Sequence, residues 1–107
     1  MRIDLGQLEF IEPKLRGMAL DVEAHFDVEF TITSLYRIND NGVHGALPLR
    51  GLDLRCREPG FGKLIEKYVN TKWIYDPART QMKCCMFHDI GQGAHIHLQV
   101  HPQTRKR

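Results

Sequence analysis

The stretch His95-Ile-His-Leu-Gln-Val-His101 alternates polar and apolar residues without a break. Successive side chains of a β-strand point to opposite faces of its sheet. The stretch therefore predicts a strand with Ile96, Leu98 and Val100 on the core face, and with its histidines and Gln99 on the other face. Imidazoles two residues apart project into the same space, which suits two metal ligands, or one ligand and one transition-state donor. A polar strand face turned to solvent is the alternative.

Apolar periodicity and turn residues divide the rest of the chain into short elements. The second helix places Phe61, Leu64, Ile65 and Tyr68 on one predicted apolar face. The order predicts a small α+β domain, in which two helices pack on a central antiparallel sheet. The predicted elements are helices at 13–26 and 59–69 and strands at 28–36, 51–55, 73–75, 81–88 and 95–101, with 81–88 as a central strand.

The composition favours one domain and excludes several classes of protein. The chain has 107 residues and a formal charge of +2, and we assign residues 1–104 to one domain. The basic residues of 105–107 supply +3 and are predicted to form a frayed tail, so the rest carries 12 basic against 13 acidic groups. This balance argues against a nucleic-acid partner.

Membrane insertion and secretion are also not expected. No apolar run approaches the roughly 20 residues of a membrane-spanning helix. Residues 1–12 lack the apolar region of a signal peptide, so we expect synthesis in the cytoplasm. The three cysteines, Cys56, Cys84 and Cys85, form no C-x-x-C pair, which favours reduced structural thiols.

Asp53 is the most conspicuous carboxylate in the sequence. It lies between Leu52 and Leu54 in a predicted strand, where burial is costly without a metal, a cation or hydrogen bonds. A salt bridge to Arg50 or Arg55 is one explanation of this residue. A metal site is the other.

His44 supplies a third candidate ligand near Asp53 in the sequence. It follows an Asn-Gly turn and precedes Asp53 by nine residues, although an ordinary loop histidine is the alternative. Together with one histidine of the last strand, His44 and Asp53 would form a His2Asp set. Three protein ligands leave the fourth position of zinc for water, as a hydrolytic site requires.

Four motifs, in chain order, resemble those of the M15 zinc peptidases: Ser34-Leu-Tyr-Arg37, His44, Arg50-Gly-Leu-Asp-Leu-Arg55 and His95-Ile-His97. This family comprises D-Ala-D-Ala carboxypeptidases and dipeptidases and phage L-alanyl-D-glutamate endolysins, and it shares its fold with the hedgehog signalling domain. The resemblance covers residues 32–100. It implies a zinc peptidase of phage or prophage origin that cleaves peptidoglycan stem peptides at the cell wall.

The same resemblance implies roles for individual residues. His44, Asp53 and His97 match the three zinc ligands of the family. Arg37 matches an arginine that binds the substrate carbonyl or the oxyanion. His95 matches a histidine that assists this arginine. Many family members have an acidic general base where this chain has Ala94. His95 or another group such as Asp89 would then have to activate the water.

Two other functions are compatible with the last strand. Residues 91–102 also resemble the H-φ-H-φ-[HQ] motif of histidine-triad nucleotide hydrolases and transferases, in which the histidine equivalent to His97 attacks the α-phosphate. That resemblance does not account for the motifs around Arg37 and Asp53. A non-catalytic zinc-binding module of the M15 fold is the other alternative.

Overall fold

The computed structural model describes residues 11–34, 50–89 and 93–107. Within these ranges the chain forms two helices and six short strands, so the predicted α+β class is confirmed. Arg37 and His44 lie outside the described residues. In chain order the elements are α1 (Pro13–Phe26), β1 (Ile32–Ser34), β2 (Gly51–Arg55), α2 (Pro59–Lys72), β3 (Trp73–Ile74), β4 (Cys85–His88), β5 (His95–Gln99) and β6 (Arg105–Lys106).

Four strands form an antiparallel sheet in the order β1-β2-β5-β4, so β2 and β5 are its central strands. The prediction of a central strand at 81–88 is wrong, because only Cys85–His88 pairs and this strand lies at an edge of the described sheet. The residues before it form a turn, and Cys84 is buried there without belonging to a strand. The apolar residues of 81–88 therefore indicated that the segment is buried, but not that its strand is paired on both edges.

The first strand is shorter than the predicted 28–36 within the described residues. The N–H of Phe30 donates to the Glu23 carboxylate at 2.7 Å, and the N–H of Val28 donates to the Glu23 carbonyl at 3.1 Å. These donors are therefore used by the end of α1. Pairing with β2 begins only near Ile32.

The basic C-terminal segment is not frayed, so that prediction is wrong. Arg105 and Lys106 form β6, which pairs antiparallel with β3. The N–H of Arg107 donates to the Lys72 carbonyl at 2.9 Å, and the buried Thr104 hydroxyl donates to the Tyr75 carbonyl at 2.7 Å. These main-chain partners order the segment whatever its charge.

The second helix begins at Pro59, as predicted, and continues to Lys72, three residues beyond the predicted end. Its buried positions are Gly62, Ile65 and Val69. Leu64 is 59% exposed, so its predicted place on the apolar face is wrong. The helix is rotated so that Gly62 faces Phe87 of the edge strand β4. Because Gly62 has no side chain, α2 and β4 can approach closely there.

One apolar core joins the helices to one face of the sheet. Both helices contact β5, and α2 also packs on β4. The predicted burial of Ile96, Leu98 and Val100 is confirmed, since all three are fully buried. None of the described helices is long and apolar enough to cross a membrane. The central part of the core contains Leu15, Met18, Val22, Leu52, Leu54, Ile65, Val69, Ile96 and Leu98.

Candidate functional site

Asp53 and His97 lie side by side on the central strands of the sheet. They are directly opposite each other in the β2–β5 register, and His97 Nδ1 lies 2.7 Å from Asp53 Oδ1. The side chains are only 9% and 15% exposed, respectively. Because Leu52 and Leu54 point into the core, strand alternation turns Asp53 to the opposite face, where His97 also lies. Two residues 44 positions apart are thus brought into contact.

Gln99 completes a buried polar row along β5. Its Oε1 lies 3.1 Å from His97 Nε2, and its Nε2 donates to the Lys83 carbonyl at 2.8 Å. The alternating pattern placed Gln99 on the histidine face but gave it no role. Its separation of two residues from His97 was the signal that could have identified it.

His95 occupies the same face at the other end of β5. It is half-buried, and the β4–β5 register places it opposite His88, with ring centroids 5.3 Å apart. His95 Nδ1 lies 3.3 Å from the carbonyl oxygen of Gly93. The sequence pattern did not select His88, whose place beside His95 depends on pairing between two strands. The alternation of β4 places Cys85 and Phe87 against the core and leaves His88 on the polar face.

His101 leaves the histidine row, because β5 ends at Gln99 and not at residue 101 as predicted. Its Nδ1 accepts a hydrogen bond from the Gln103 N–H at 3.1 Å, and its ring packs 5.6 Å from that of Tyr75. The same nitrogen lies 3.9 Å from the Asp76 carboxylate. The Ala78 N–H, together with the Arg79 side chain, keeps the pKa of Asp76 below its ordinary value.

The cysteines contribute no activated thiolate to the site. All three are buried and free. Burial raises the pKa of Cys84 to about 11, and it raises the pKa values of Cys56 and Cys85 as well. Since the thiolate is the form that binds metal and reacts, thiols with raised pKa values are poorly suited to either role at neutral pH. The predicted structural role of the thiols fits this burial.

The described residues contain two of the three predicted zinc ligands, Asp53 and His97. Imidazole nitrogen and carboxylate oxygen are both donor types that zinc takes in proteins. No group of three or more His, Cys, Asp or Glu side chains suited to a metal ion occurs within 11–34, 50–89 and 93–107. A third protein ligand would therefore come from elsewhere in the chain, where His44 is the predicted residue.

Comparison with family models, with curated proteins and with solved structures finds no match for this chain. The resemblance to M15 peptidases therefore stays a prediction. The contacts made by Asp53, His95 and His97 are the physical basis for a function.

Proposed function

We propose that this chain is a zinc-dependent peptidase that hydrolyses amide bonds of peptidoglycan stem peptides, on a fold similar to that of the hedgehog and D-Ala-D-Ala peptidase group. His44, Asp53 and His97 are its proposed zinc ligands. The observation that carries the proposal is the buried contact of 2.7 Å between Asp53 and His97 on the central strands. The resemblance implies both residues as ligands independently of this contact.

The surroundings of this pair suit a metal better than a purely structural contact would require. Burying a carboxylate is costly, and an apolar pair of similar volume could make a purely structural contact at least as well. Both side chains also project from the polar face of the sheet, away from the apolar core. Ligands on paired strands are held more precisely than ligands on loops, because the main chain on either side is fixed.

His95 is the proposed general base. The carbonyl oxygen of Gly93 can only accept a hydrogen bond, so the 3.3 Å contact requires the hydrogen on His95 Nδ1. In the neutral ring Nε2 then has a free lone pair and can take a proton from water. This assignment supplies the base that Ala94 cannot provide.

Zinc at this site would supply Lewis-acid activation of water and of the scissile carbonyl. Arg37 is proposed to bind the substrate carbonyl and the negative charge that develops on its oxygen. His97 and Asp53 hold the metal, and His95 moves the proton. A phage or prophage origin and action at the bacterial cell wall belong to the same proposal, since they rest on the resemblance.

Zinc content of untagged protein tests the metal site. We expect about one zinc per chain in the wild type, and loss of that zinc in Asp53→Ala and His97→Ala. His101→Ala is the matched control, because His101 belongs to the same sequence stretch but contacts Gln103 and Tyr75 instead. It should keep its zinc. A folded wild-type protein that binds no zinc would refute the proposal.

Substrate assays separate the peptidase from its alternatives. Cleavage of muropeptides that stops when a chelator is added supports the peptidase. Cleavage of adenosine phosphoramidate that survives the chelator would instead identify a histidine-triad enzyme. Bound zinc with neither activity would identify a non-catalytic module and would exclude the hydrolytic function.

A further inference from the structure

Gln99 is held by two main-chain contacts at the end of β5. Its N–H donates to the Cys84 carbonyl at 2.8 Å, and its side-chain Nε2 donates to the Lys83 carbonyl, also at 2.8 Å. The residue is only 8% exposed. Both partners lie in the segment that leads into β4, so backbone and side chain are fixed by the same neighbour.

These contacts determine which way the amide of Gln99 faces. The Lys83 carbonyl can only accept a hydrogen bond, so the amide nitrogen must face it. The amide oxygen then faces His97 Nε2, at 3.1 Å. An amide oxygen also only accepts, so this contact is a hydrogen bond when His97 carries a hydrogen on Nε2.

The hydrogen on Nε2 decides which nitrogen of His97 can bind a metal. In a metal-bound imidazole one nitrogen binds the metal and the other carries the N–H, so a hydrogen kept on Nε2 makes Nδ1 the metal-binding nitrogen. Nδ1 is also the atom that lies 2.7 Å from Asp53 Oδ1, the second proposed ligand. A carboxylate only accepts, so without metal this contact places a hydrogen on Nδ1. Metal binding at Nδ1 would displace that hydrogen as a proton and leave the one on Nε2.

We propose that Gln99 is a positioning residue that keeps the hydrogen on His97 Nε2 and so presents Nδ1 to the metal. The inference rests on the proposed zinc site. Histidine ligands generally donate their second N–H to a neighbouring acceptor, which fixes the tautomer and the ring orientation. Here the acceptor is two residues along the same strand, and its own orientation is set by the Lys83 carbonyl.

Zinc affinity, measured by competition with a chromophoric chelator, tests this role. Gln99→Met keeps the length of the side chain but removes the acceptor, and we expect about 10- to 100-fold weaker binding. Gln99→Glu keeps an acceptor oxygen for Nε2, although it loses the donor to the Lys83 carbonyl, and should bind zinc more tightly than Gln99→Met. The matched control is Gln81→Met, at an exposed position before β4, which should leave the affinity unchanged.

Nitrogen-15 NMR of the zinc-loaded wild type gives a readout that a purely structural role would not predict. We expect the hydrogen of His97 on Nε2 and none on Nδ1. The reverse assignment would overturn the inference, even if Gln99→Met did not fold. Equal affinities for the wild type and a folded Gln99→Met would also overturn it.

Failure of the inference can be told apart from failure of the proposed function. A wild type without zinc refutes both. Zinc binding that does not depend on Gln99 refutes only the positioning role. Zinc binding that depends on Gln99, without cleavage of stem peptides, upholds the positioning role and refutes only the hydrolysis.

Discussion

Replacing Gly62 by alanine tests the packing of α2 on β4. A Cβ atom at Gly62 would lie 2.5 Å from Phe87 Cε1 and 2.9 Å from Cγ, and closer still to Cδ1. Ordinary contact between carbon atoms is about 3.5–4.0 Å, so the ring would have to move by about 1 Å. Phe87 is half-buried and packs against the core, so this shift disturbs established contacts.

Two opposing terms set the size of the effect. Alanine is favoured over glycine inside a helix by about 1 kcal/mol. Overpacking of a well-packed site costs about 1–3 kcal/mol. The net expectation is that Gly62→Ala lowers the free energy of unfolding by up to about 2 kcal/mol. For a domain of this size, this corresponds to a fall in Tm of up to about 16 °C.

Gly17→Ala is the matched control. Gly17 lies inside α1, and a Cβ atom there would meet nothing within 4 Å. Only the helix-propensity term applies, so Gly17→Ala should stabilise the protein by about 1 kcal/mol. Urea denaturation followed by circular dichroism and by the fluorescence of Trp73, the single tryptophan and 8% exposed, measures both variants.

The double variant Gly62→Ala/Phe87→Leu identifies the cause of the loss. If the new Cβ clashes with the phenyl ring, the two substitutions should couple by more than about 0.5 kcal/mol, with the smaller side chain relieving the clash. A Gly62→Ala protein as stable as Gly17→Ala would refute the reasoning. Additive effects in the double variant would show that Phe87 is not the obstacle.

Two further predictions concern ionisable groups. Asp21 accepts hydrogen bonds from Tyr68 at 2.8 Å and Lys72 at 3.0 Å; burial raises its pKa, but these bonds outweigh burial and leave the pKa below the ordinary value. Its contribution of up to about 1 kcal/mol is therefore present above about pH 4 and is lost as the pH falls below that value. Urea denaturation should show that Asp21→Asn destabilises the protein at pH 7 but much less at pH 3. Equal losses at the two pH values would contradict this. Cys84, with a pKa of about 11, should react with iodoacetamide at pH 8 far more slowly in the folded protein than in urea. Mass spectrometry measures the labelling. Rapid labelling of Cys84 in the folded protein would contradict its burial.

Local signals predicted the elements that carry the site. The alternation of β5 and of the segment around Asp53 is a property of each strand alone, and it fixes which side chains share a face. The start of α1 is equally local, because Pro13 takes the first helical position and the Glu12 carboxylate accepts the N–H groups of Lys14 and Leu15. These predictions required no knowledge of neighbouring elements.

Pairings between distant segments were not predictable in the same way. The apolar pattern of residues 81–88 indicated burial but not an edge position. The charged residues Arg105 and Lys106 gave no indication of a strand, because β6 forms through main-chain pairing with β3. The contact between His88 and His95 likewise depends on register. The sequence grouped Asp53 with a histidine of the last strand, but the direct contact between Asp53 Oδ1 and His97 Nδ1 depends on β2 lying beside β5.

The position of the candidate site within the sheet matches what its residues are proposed to do. The proposed ligands Asp53 and His97 lie on β2 and β5, each paired on both sides, so neither strand can shift without breaking two ladders. His95 lies next to Ala94 and the positive-φ residue Gly93, at the end of β5 where the main chain leaves the ladder. A metal needs ligands held at fixed distances, whereas a group that moves protons to and from a substrate needs access to it. The sheet thus places Asp53 and His97 at its most constrained point and the proposed base, His95, at the adjacent, more accessible end of β5.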